Sequence, residues 1–445
     1  MTHAFKRGVG TLCNEPLPQA FNQPGTCRIE TGYARNIDYR CFVFVRFLKT
    51  AHLVIDKIDA LRDPATAQPD MARTVLLRQI NLRRRIIGGS CFVGSVGQHG
   101  LPHIRVVERP KYCVPEGISM HNTLNIIVER YPIAGKFTIS RGSKTEAVVV
   151  VCVIGNGLNQ GRGECVPYAR YGESIESVSA QIEAARTAIE SGATRQDIQT
   201  LMPAGAARNA VDCALWDLEA KASGRSVADM LGTPTRPLET AITVSLGTPA
   251  EMAESAAKVA HYPLIKVKMG GENDIEKIQA VTSAAPNSRI IIDANEGWTA
   301  DNIAENMRAA ADAGVVLIEQ PLPADNDHIL SEIERPVIIC ADESVHTSVG
   351  LEELAKRYDA VNIKLDKAGG LTEGLIMRDK AINYGLQIMV GCMVGTSLGM
   401  APAVLLAQKA NVVDLDGPLL LAHDRDPGLR YDGALVYLPE AAVWG

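Results

Sequence analysis

The sequence predicts an α/β protein: a (β/α) barrel with a smaller α+β unit ahead of it. Three observations carry this expectation. Eight short apolar runs from Ala241 onward alternate with amphipathic stretches. Five consecutive runs end in an ionisable residue, at steps of 25, 26, 23 and 22 residues. Before them, strand and turn chemistry gives way to helical patterning, which is the order of an α+β unit.

The first quarter of the chain stands apart. Residues 1–119 hold 17 Lys and Arg against 9 Asp and Glu, whereas the whole chain of 445 residues has a net charge of −6. Half of the ten cysteines (Cys13, Cys27, Cys41, Cys91, Cys113) lie in this segment. It shows no sustained helical or strand period apart from an amphipathic piece near Met71–Arg85. Two readings fit: a basic accessory domain, or an upstream stretch read in frame ahead of a start at Met120. The missing period favours the second and predicts a poorly ordered segment.

From residue 120 the pattern sharpens. Leu124–Tyr131 alternates, Ala147–Ile154 is a β-branched run, and Gly155-Asn156-Gly157 has hairpin chemistry. With Gly161 and Gly163 these glycines faintly resemble a dinucleotide loop, but no helix follows them, so a hairpin is expected. Helices are predicted over Ser174–Ser191, Ala206–Ala222 and Ser226–Leu231, completing a unit over 120–238. Barrel strands are predicted at Ala241–Leu246, Leu264–Lys268, Ile290–Asp293, Val315–Glu319, Val337–Ala341, Ala360–Leu365, Leu386–Val390 and Val412–Leu415, within a domain over 239–425. Each gap is read as amphipathic, as at Pro249–His261, Ile275–Ala285 and Ala300–Ala313. The tail, 426–445, reads as a strand over Leu429–Leu438 that returns to the first unit.

Composition excludes some classes. The charge suggests neither a nucleic-acid nor a membrane partner, and no run nears the ~18–20 apolar residues of a membrane span. No Cys-x-x-Cys pair occurs and no signal peptide is evident, so a cytoplasmic, reduced protein is expected. A homo-oligomer stays open.

The strand-end residues are Lys266 and Lys268, Asp293, Glu319, Asp342, Lys364, and Asp414 with Asp416. In a (β/α) barrel these ends form the active-site face. Asp293, Glu319 and Asp342 are three hard oxygen donors with no His or Cys beside them, which favours Mg²⁺. Lys266 and Lys268, two apart on a strand, would sit about 7 Å apart. Their repulsion, roughly 2 kcal/mol at an effective dielectric near 20, is expected to draw a lysine toward a usable base. Lys364 comes from across the barrel. Two lysines on opposite faces of a carbon acid make a one-carbon proton relay, with Mg²⁺ stabilising the enediolate. Asp414-Leu415-Asp416 sets two carboxylates on one side of a strand, a clamp for an ammonium group.

Several phrases resemble the enolase superfamily: Leu-Ile-Lys-Val-Lys at 264–268, Asp-Ala-Asn at 293–295, Ile-Glu-Gln-Pro at 318–321, Ala-Asp-Glu-Ser at 341–344 and Val-Asn-Ile-Lys-Leu at 361–365. The two lysines resemble its muconate-lactonising subgroup. The resemblance spans about 124–445 and implies an enolase-type, modified TIM barrel with a capping domain. Lysine bases with Mg²⁺ are a known pattern of such sites. The Asp-x-Asp pair resembles dipeptide epimerases, where it binds the substrate α-ammonium. Gly391-Cys392-Met393, at the end of strand seven, lacks the histidine of mandelate-racemase-like members.

Thr138–Gly142 and Pro167–Ser174 resemble capping loops of bacterial L-Ala-D/L-Glu epimerases. That likeness implies that Arg141 meets a substrate γ-carboxylate. Lys266, and Thr243 at the end of strand one, are further candidate substrate contacts. The expected activity is Mg²⁺-dependent epimerisation of L-Ala-D-Glu to L-Ala-L-Glu in murein peptide recycling. A dipeptide epimerase of other specificity, a muconate-cycloisomerase or succinylbenzoate-synthase-like enzyme, and a non-catalytic binding protein on the same fold stay open.

Overall fold

A computed structural model describes residues 121–445 except Thr233, together with the backbone of Arg40–Phe44, Cys91–Val96 and Pro102–Val107. The chain divides into two compact units, Met1–Ile118 and Ser119–Gly445. In the first, Arg40–Phe44 (β1), Cys91–Val96 (β2) and Pro102–Val107 (β3) form an antiparallel sheet. The sequence reading named no strands there. The expectations of poor order, of a start at Met120 and of an amphipathic piece near Met71–Arg85 lie outside the described residues.

The second unit opens with a long hairpin. Thr123–Ile139 (β4) and Gly142–Gly155 (β5) pair antiparallel, and Gln160–Cys165 (β6) joins β5. The glycines of β6 are explained by packing. A Cβ on Gly161 or Gly163 would lie 2.1 Å from the carbonyl oxygen of Ala214 or Ala210, on the helix Ala206–Ser223. Only bare backbone allows that approach. The helix predicted over Ser174–Ser191 breaks into Ile175–Ala184 and Arg186–Glu190, and an unpredicted helix, Arg195–Leu201, follows behind a Thr194 cap.

The eight-stranded parallel sheet runs Ile242–Val244 (β7), Leu264–Lys268 (β8), Arg289–Asp293 (β9), Leu317–Glu319 (β10), Ile338–Ala341 (β11), Ala360–Ile363 (β12), Gln387–Gly391 (β13) and Val412–Asp414 (β14). The Ala241 N–H donates to the Val413 carbonyl at 2.8 Å, joining the last strand to the first. One gap departs from the strand–helix repeat. Between β10 and β11 there is only a 3₁₀ turn, His328–Ser331. Pro321, Pro323 and Pro336 lack the N–H a helix needs there.

Period-two alternation sorts the strands. Ala241, Leu264, Ile291, Leu317, Cys340, Ala360 and Met389 form one apolar layer inside the barrel. The intervening residues, such as Ile265, Val267, Ile292 and Ile318, pack outward against the helices. Two residues further on from the inner layer come Lys266, Asp293, Glu319, Asp342, Asn362 and Gly391. The charges are therefore the next rung of the alternation that builds the core.

The single strand expected over Leu429–Leu438 is two short strands. Tyr431–Asp432 and Leu435–Val436 form a tight hairpin around Gly433 (φ +56°), paired with Leu238–Glu239 rather than with the β4–β6 sheet. The final residues do reach the helix beside that sheet: Trp444 donates its indole N–H to Cys213 O at 3.0 Å.

Asp366 lies where the two parts of this unit meet, accepting from Val166 N at 3.0 Å and Asn209 Nδ2 at 2.9 Å. Burial pushes its carboxyl up to about 7. The folded state thus holds a proton that the unfolded state releases, so stability falls as pH rises from about 4 to about 7. Asp366→Asn keeps both accepted bonds on the amide oxygen. It is expected to gain roughly 1–3 kcal/mol over wild type at pH 8 and to flatten this slope, as read by denaturant unfolding across pH.

Candidate active site

Register sets the row of functional groups. Asp293 is level with Lys268 on one side and with Glu319 on the other. Asp342 follows β11 directly and Lys364 follows β12. In strand order the mouth therefore reads Lys268, Asp293, Glu319, Asp342, Lys364, with a lysine at each end of three carboxylates.

All five side chains are buried. Lys268 Nζ lies 2.6 Å from Asp293 Oδ2, and Lys364 Nζ lies 2.6 Å from Asp342 Oδ2 and 3.7 Å from Glu319 Oε1. Lys266, 2% exposed, sits deeper, with Nζ 2.6 Å from Glu319 Oε2, 2.8 Å from Asp414 Oδ2 and 3.2 Å from Asp293 Oδ2.

This arrangement corrects the expected electrostatics. Burial alone would lower the Lys266 pKa, but Asp414, Glu319 and Asp293 outweigh it and hold the ammonium well above the usual lysine range. Three carboxylates within 3.2 Å dominate the repulsion that the two-residue spacing to Lys268 suggested. Lys364 is raised in the same way, against burial, by Asp342 and Glu319.

The carboxylates diverge. Burial works against ionisation of Asp342 and Asp293, yet Lys364 and Lys367 hold Asp342 well below its ordinary value, and Lys268 and Lys266 lower Asp293. Glu319 goes the other way, pushed up to about 7 by burial and by the Asp293 charge. Among the described residues no three His, Cys, Asp or Glu side chains are gathered closely enough to hold an ion as they stand, because ammonium groups lie between them.

The donor set nonetheless fits a divalent cation. It consists of three hard carboxylates on adjacent strand ends. Glu319 Oε2, although 2.6 Å from Lys266 Nζ, is not aligned for a hydrogen bond and keeps a buried acceptor open.

Backbone strain marks the same place. Asn295 (φ +46°), Glu296 (φ +66°) and Gln320 (φ +38°) adopt left-handed conformations just beyond Asp293 and Glu319. Gln320 repays the strain with a network. Its two amide N–H groups are shared among Leu322 O, Ser344 Oγ and Tyr358 OH, and its oxygen accepts from the N–H groups of Asp342 and Ser344.

Further residues complete the site. Asn362 donates to Glu319 Oε1 at 2.7 Å, and Gly391 leaves room for it, since a Cβ there would lie 2.7 Å from Asn362 Oδ1. Lys367 donates to both Oδ1 and the carbonyl oxygen of Asp342. Sequence reasoning missed both, although each carried a signal. Asn362 precedes Lys364 by two on a strand, and Lys367 follows it by one helical turn.

The Asp-x-Asp pair sits at the end of β14. Asp414 is bonded by Lys266, while its Oδ1 is buried with no hydrogen-bond partner. Asp416 Oδ2 accepts from the Thr243 N–H at 2.7 Å, so Thr243 contributes backbone to the site. Burial and then the Asp414 charge push Asp416 up to about 7.

Arg141, at the tip of the β4–β5 hairpin, reaches the barrel mouth. Its guanidinium meets Glu343 at 2.7 Å, Glu296 at 3.3 Å, Asn295 O at 3.2 Å and Tyr168 OH at 3.2 and 3.3 Å. Those five bonds use all five of its N–H groups. Glu343 escaped the sequence reading because it follows Asp342, and strand alternation would turn it outward; the strand has already ended at Ala341.

The chain matches known families and proteins. Residues 122–232 match the mandelate racemase / muconate lactonizing enzyme N-terminal domain, and residues 250–440 match the enolase C-terminal domain-like family. The chain is 44% identical over 319 residues to the L-Ala-D/L-Glu epimerase of Escherichia coli (strain K12), covering 71% of this chain and 99% of that protein. It is 46% identical over 301 residues to an N-acetyl-D-glutamate racemase of a Pseudoalteromonas species, covering 67% and 95%. A crystal structure of an enolase family member from Agrobacterium tumefaciens with homology to dipeptide epimerases, holding sodium and L-Ala-L-Glu, is 58% identical at a TM-score of 0.72. It covers 73% of this chain and all of that one. Other solved dipeptide epimerases are complexed with Mg and a dipeptide. This chain belongs to the enolase superfamily, in the branch that holds the dipeptide epimerases, and is an isomerase.

Proposed function

We propose that the chain is a Mg²⁺-dependent dipeptide epimerase that interconverts L-Ala-D-Glu and L-Ala-L-Glu by 1,1-proton transfer through an enediolate, serving murein peptide recycling in the cytoplasm. One observation carries the reading: Lys268 and Lys364 flank the carboxylate row, each paired to a different carboxylate. A substrate α-carbon between them meets an amine on either face. The neutral lysine takes the α-proton, the ammonium opposite returns one, and the configuration inverts. Mg²⁺ on Asp293, Glu319 and Asp342 would supply positive charge that offsets the negative charge developing on the substrate carboxylate. Lys266 holds Glu319 and Asp414 in place below the reacting groups. Incubation with Mg²⁺ and L-Ala-L-Glu in D₂O, followed by NMR of the glutamate α-proton, tests the assignment. Absence of α-deuterium across a panel of dipeptides would rule it out.

The 46% identical racemase, named for an N-acetylated substrate, supplies a second reading. The unpartnered Asp414 Oδ1 beside Asp416 favours a free ammonium. Only ionised Asp416 attracts that group strongly. With its carboxyl near 7, KM for L-Ala-L-Glu is expected to fall between pH 6 and pH 8. Asp416→Asn should remove this dependence and raise KM about tenfold or more, with no change toward N-acetyl-glutamate. Steady-state kinetics on both substrates checks it, and equal effects on the two would favour the N-acyl reading.

A further inference from the structure

The helix Ala206–Ser223, which packs on the β4–β6 sheet, also clasps the chain immediately after Lys364. There the chain forms a four-residue helix, Leu365–Ala368, then Gly369 (φ +80°) and Gly370 (φ +110°), before the helix Leu371–Asn383 begins. Four residues make too few internal hydrogen bonds to hold a helix by themselves. The placing of this turn matters, because it carries both ammonium groups that meet Asp342. Lys364 starts it, its carbonyl accepting from Lys367 N at 3.1 Å and Ala368 N at 2.9 Å, and Lys367 lies within it.

Buried side chains of the clasping helix supply the missing partners. Arg208 donates to Ala368 O at 2.7 Å and to Gly369 O at 3.1 Å, satisfying carbonyls that a helix end leaves open. One turn further along, Asp212 accepts from the N–H and the hydroxyl of Thr372, at 2.9 and 2.6 Å. Trp216, another turn on, donates its indole N–H to that hydroxyl at 3.0 Å. The two glycines permit the approach: a Cβ on Gly369 would lie 2.4 Å from Arg208 Nε, and one on Gly370 2.5 Å from Asp212 Cβ. Lys268 is held differently. It ends a strand paired on both sides by barrel strands, and among the described residues no hydrogen bond from the helix Ala206–Ser223 reaches that strand.

We propose that Arg208 and Asp212 are positioning residues for proton transfer on the Lys364 face alone. They fix the turn that sets Lys364 within reach of the substrate α-carbon, and they leave Lys268 to the barrel. The proposal rests on the two-lysine reading above.

The test follows α-proton exchange by NMR in D₂O with Mg²⁺, starting separately from L-Ala-L-Glu and L-Ala-D-Glu, in the full-length protein. Lys364→Ala identifies the epimer served by Lys364 as the one whose exchange is lost. Arg208→Met is expected to slow exchange of that epimer about 10–100-fold and of the other by less than about twofold. Arg208→Lys, which still donates to one of the two carbonyls, should fall between Arg208→Met and wild type. Equal slowing of both epimers overturns the proposal, since a loosened fold spares neither face, and so does unchanged exchange of both. If Arg208→Met does not fold, Thr372→Val, which removes a single hydroxyl from the clasp, is read by the same ratio. A wild type that exchanges neither epimer sinks the two-lysine reading instead, a distinct result.

Discussion

Alanine at Lys268 or Lys364 is expected to abolish epimerisation, with kcat down about 10²–10⁴-fold or more, while the protein stays folded. Each substitution leaves the partner carboxylate with a second cation. Asp293 keeps Lys266 at 3.2 Å, and Asp342 keeps Lys367. Neither variant strands a buried charge, so thermal unfolding should shift little. The signature lies in isotope exchange. A relay with one lysine per face predicts that each variant still exchanges the α-proton of one epimer in D₂O, and that the two variants retain opposite epimers. If both variants kept exchange on the same epimer, the two-face assignment would fail.

Asp342→Asn reverses that logic and should injure both fold and function. The carboxylate is the shared partner of Lys364 and Lys367, both buried. Removing its charge leaves two ammonium groups facing a neutral amide, and breaking a buried pair in this way costs about 3–5 kcal/mol. Wild-type stability carries the matching pH signature. Asp342 is held well below its ordinary value by Lys364 and Lys367, against burial. Its contribution is therefore present above the usual carboxylate range and is lost as pH falls through the depressed value. In Asp342→Asn this acid-limb contribution should vanish, and denaturant unfolding from pH 7 downward measures it. Activity should be lost as well. In wild type a chelator should reproduce the activity loss, with recovery on adding Mg²⁺, but should leave the two lysine pairs intact and the fold standing.

The barrel was legible because its strands share one period. Leu264–Lys268 was placed without error, and the other strands within a few residues, since apolar runs ending in charge recur at nearly constant steps. What failed did so for local reasons. The prolines between β10 and β11 replaced a helix with a 3₁₀ turn, and Gly433 folded the tail into a hairpin. The like-charge argument for Lys266 failed because it counted only the neighbour two residues away. Three carboxylates from other strands lie closer than that neighbour is expected to be.

The identity and order of the groups at the mouth are properties of the sequence alone. Alternation and strand phase place Lys268, Asp293, Glu319, Asp342 and Lys364 on one rim whatever their partners. The tertiary structure decided the pairing. Asp342 binds Lys364 and Lys367, Lys266 bridges three acids, and Arg141 is engaged by Glu343 and Glu296. Those partners lie 22 to 202 residues apart in the chain, or on loops where alternation has ended. Coulomb energies depend on distance in space, and that distance exists only once the strands close into a ring.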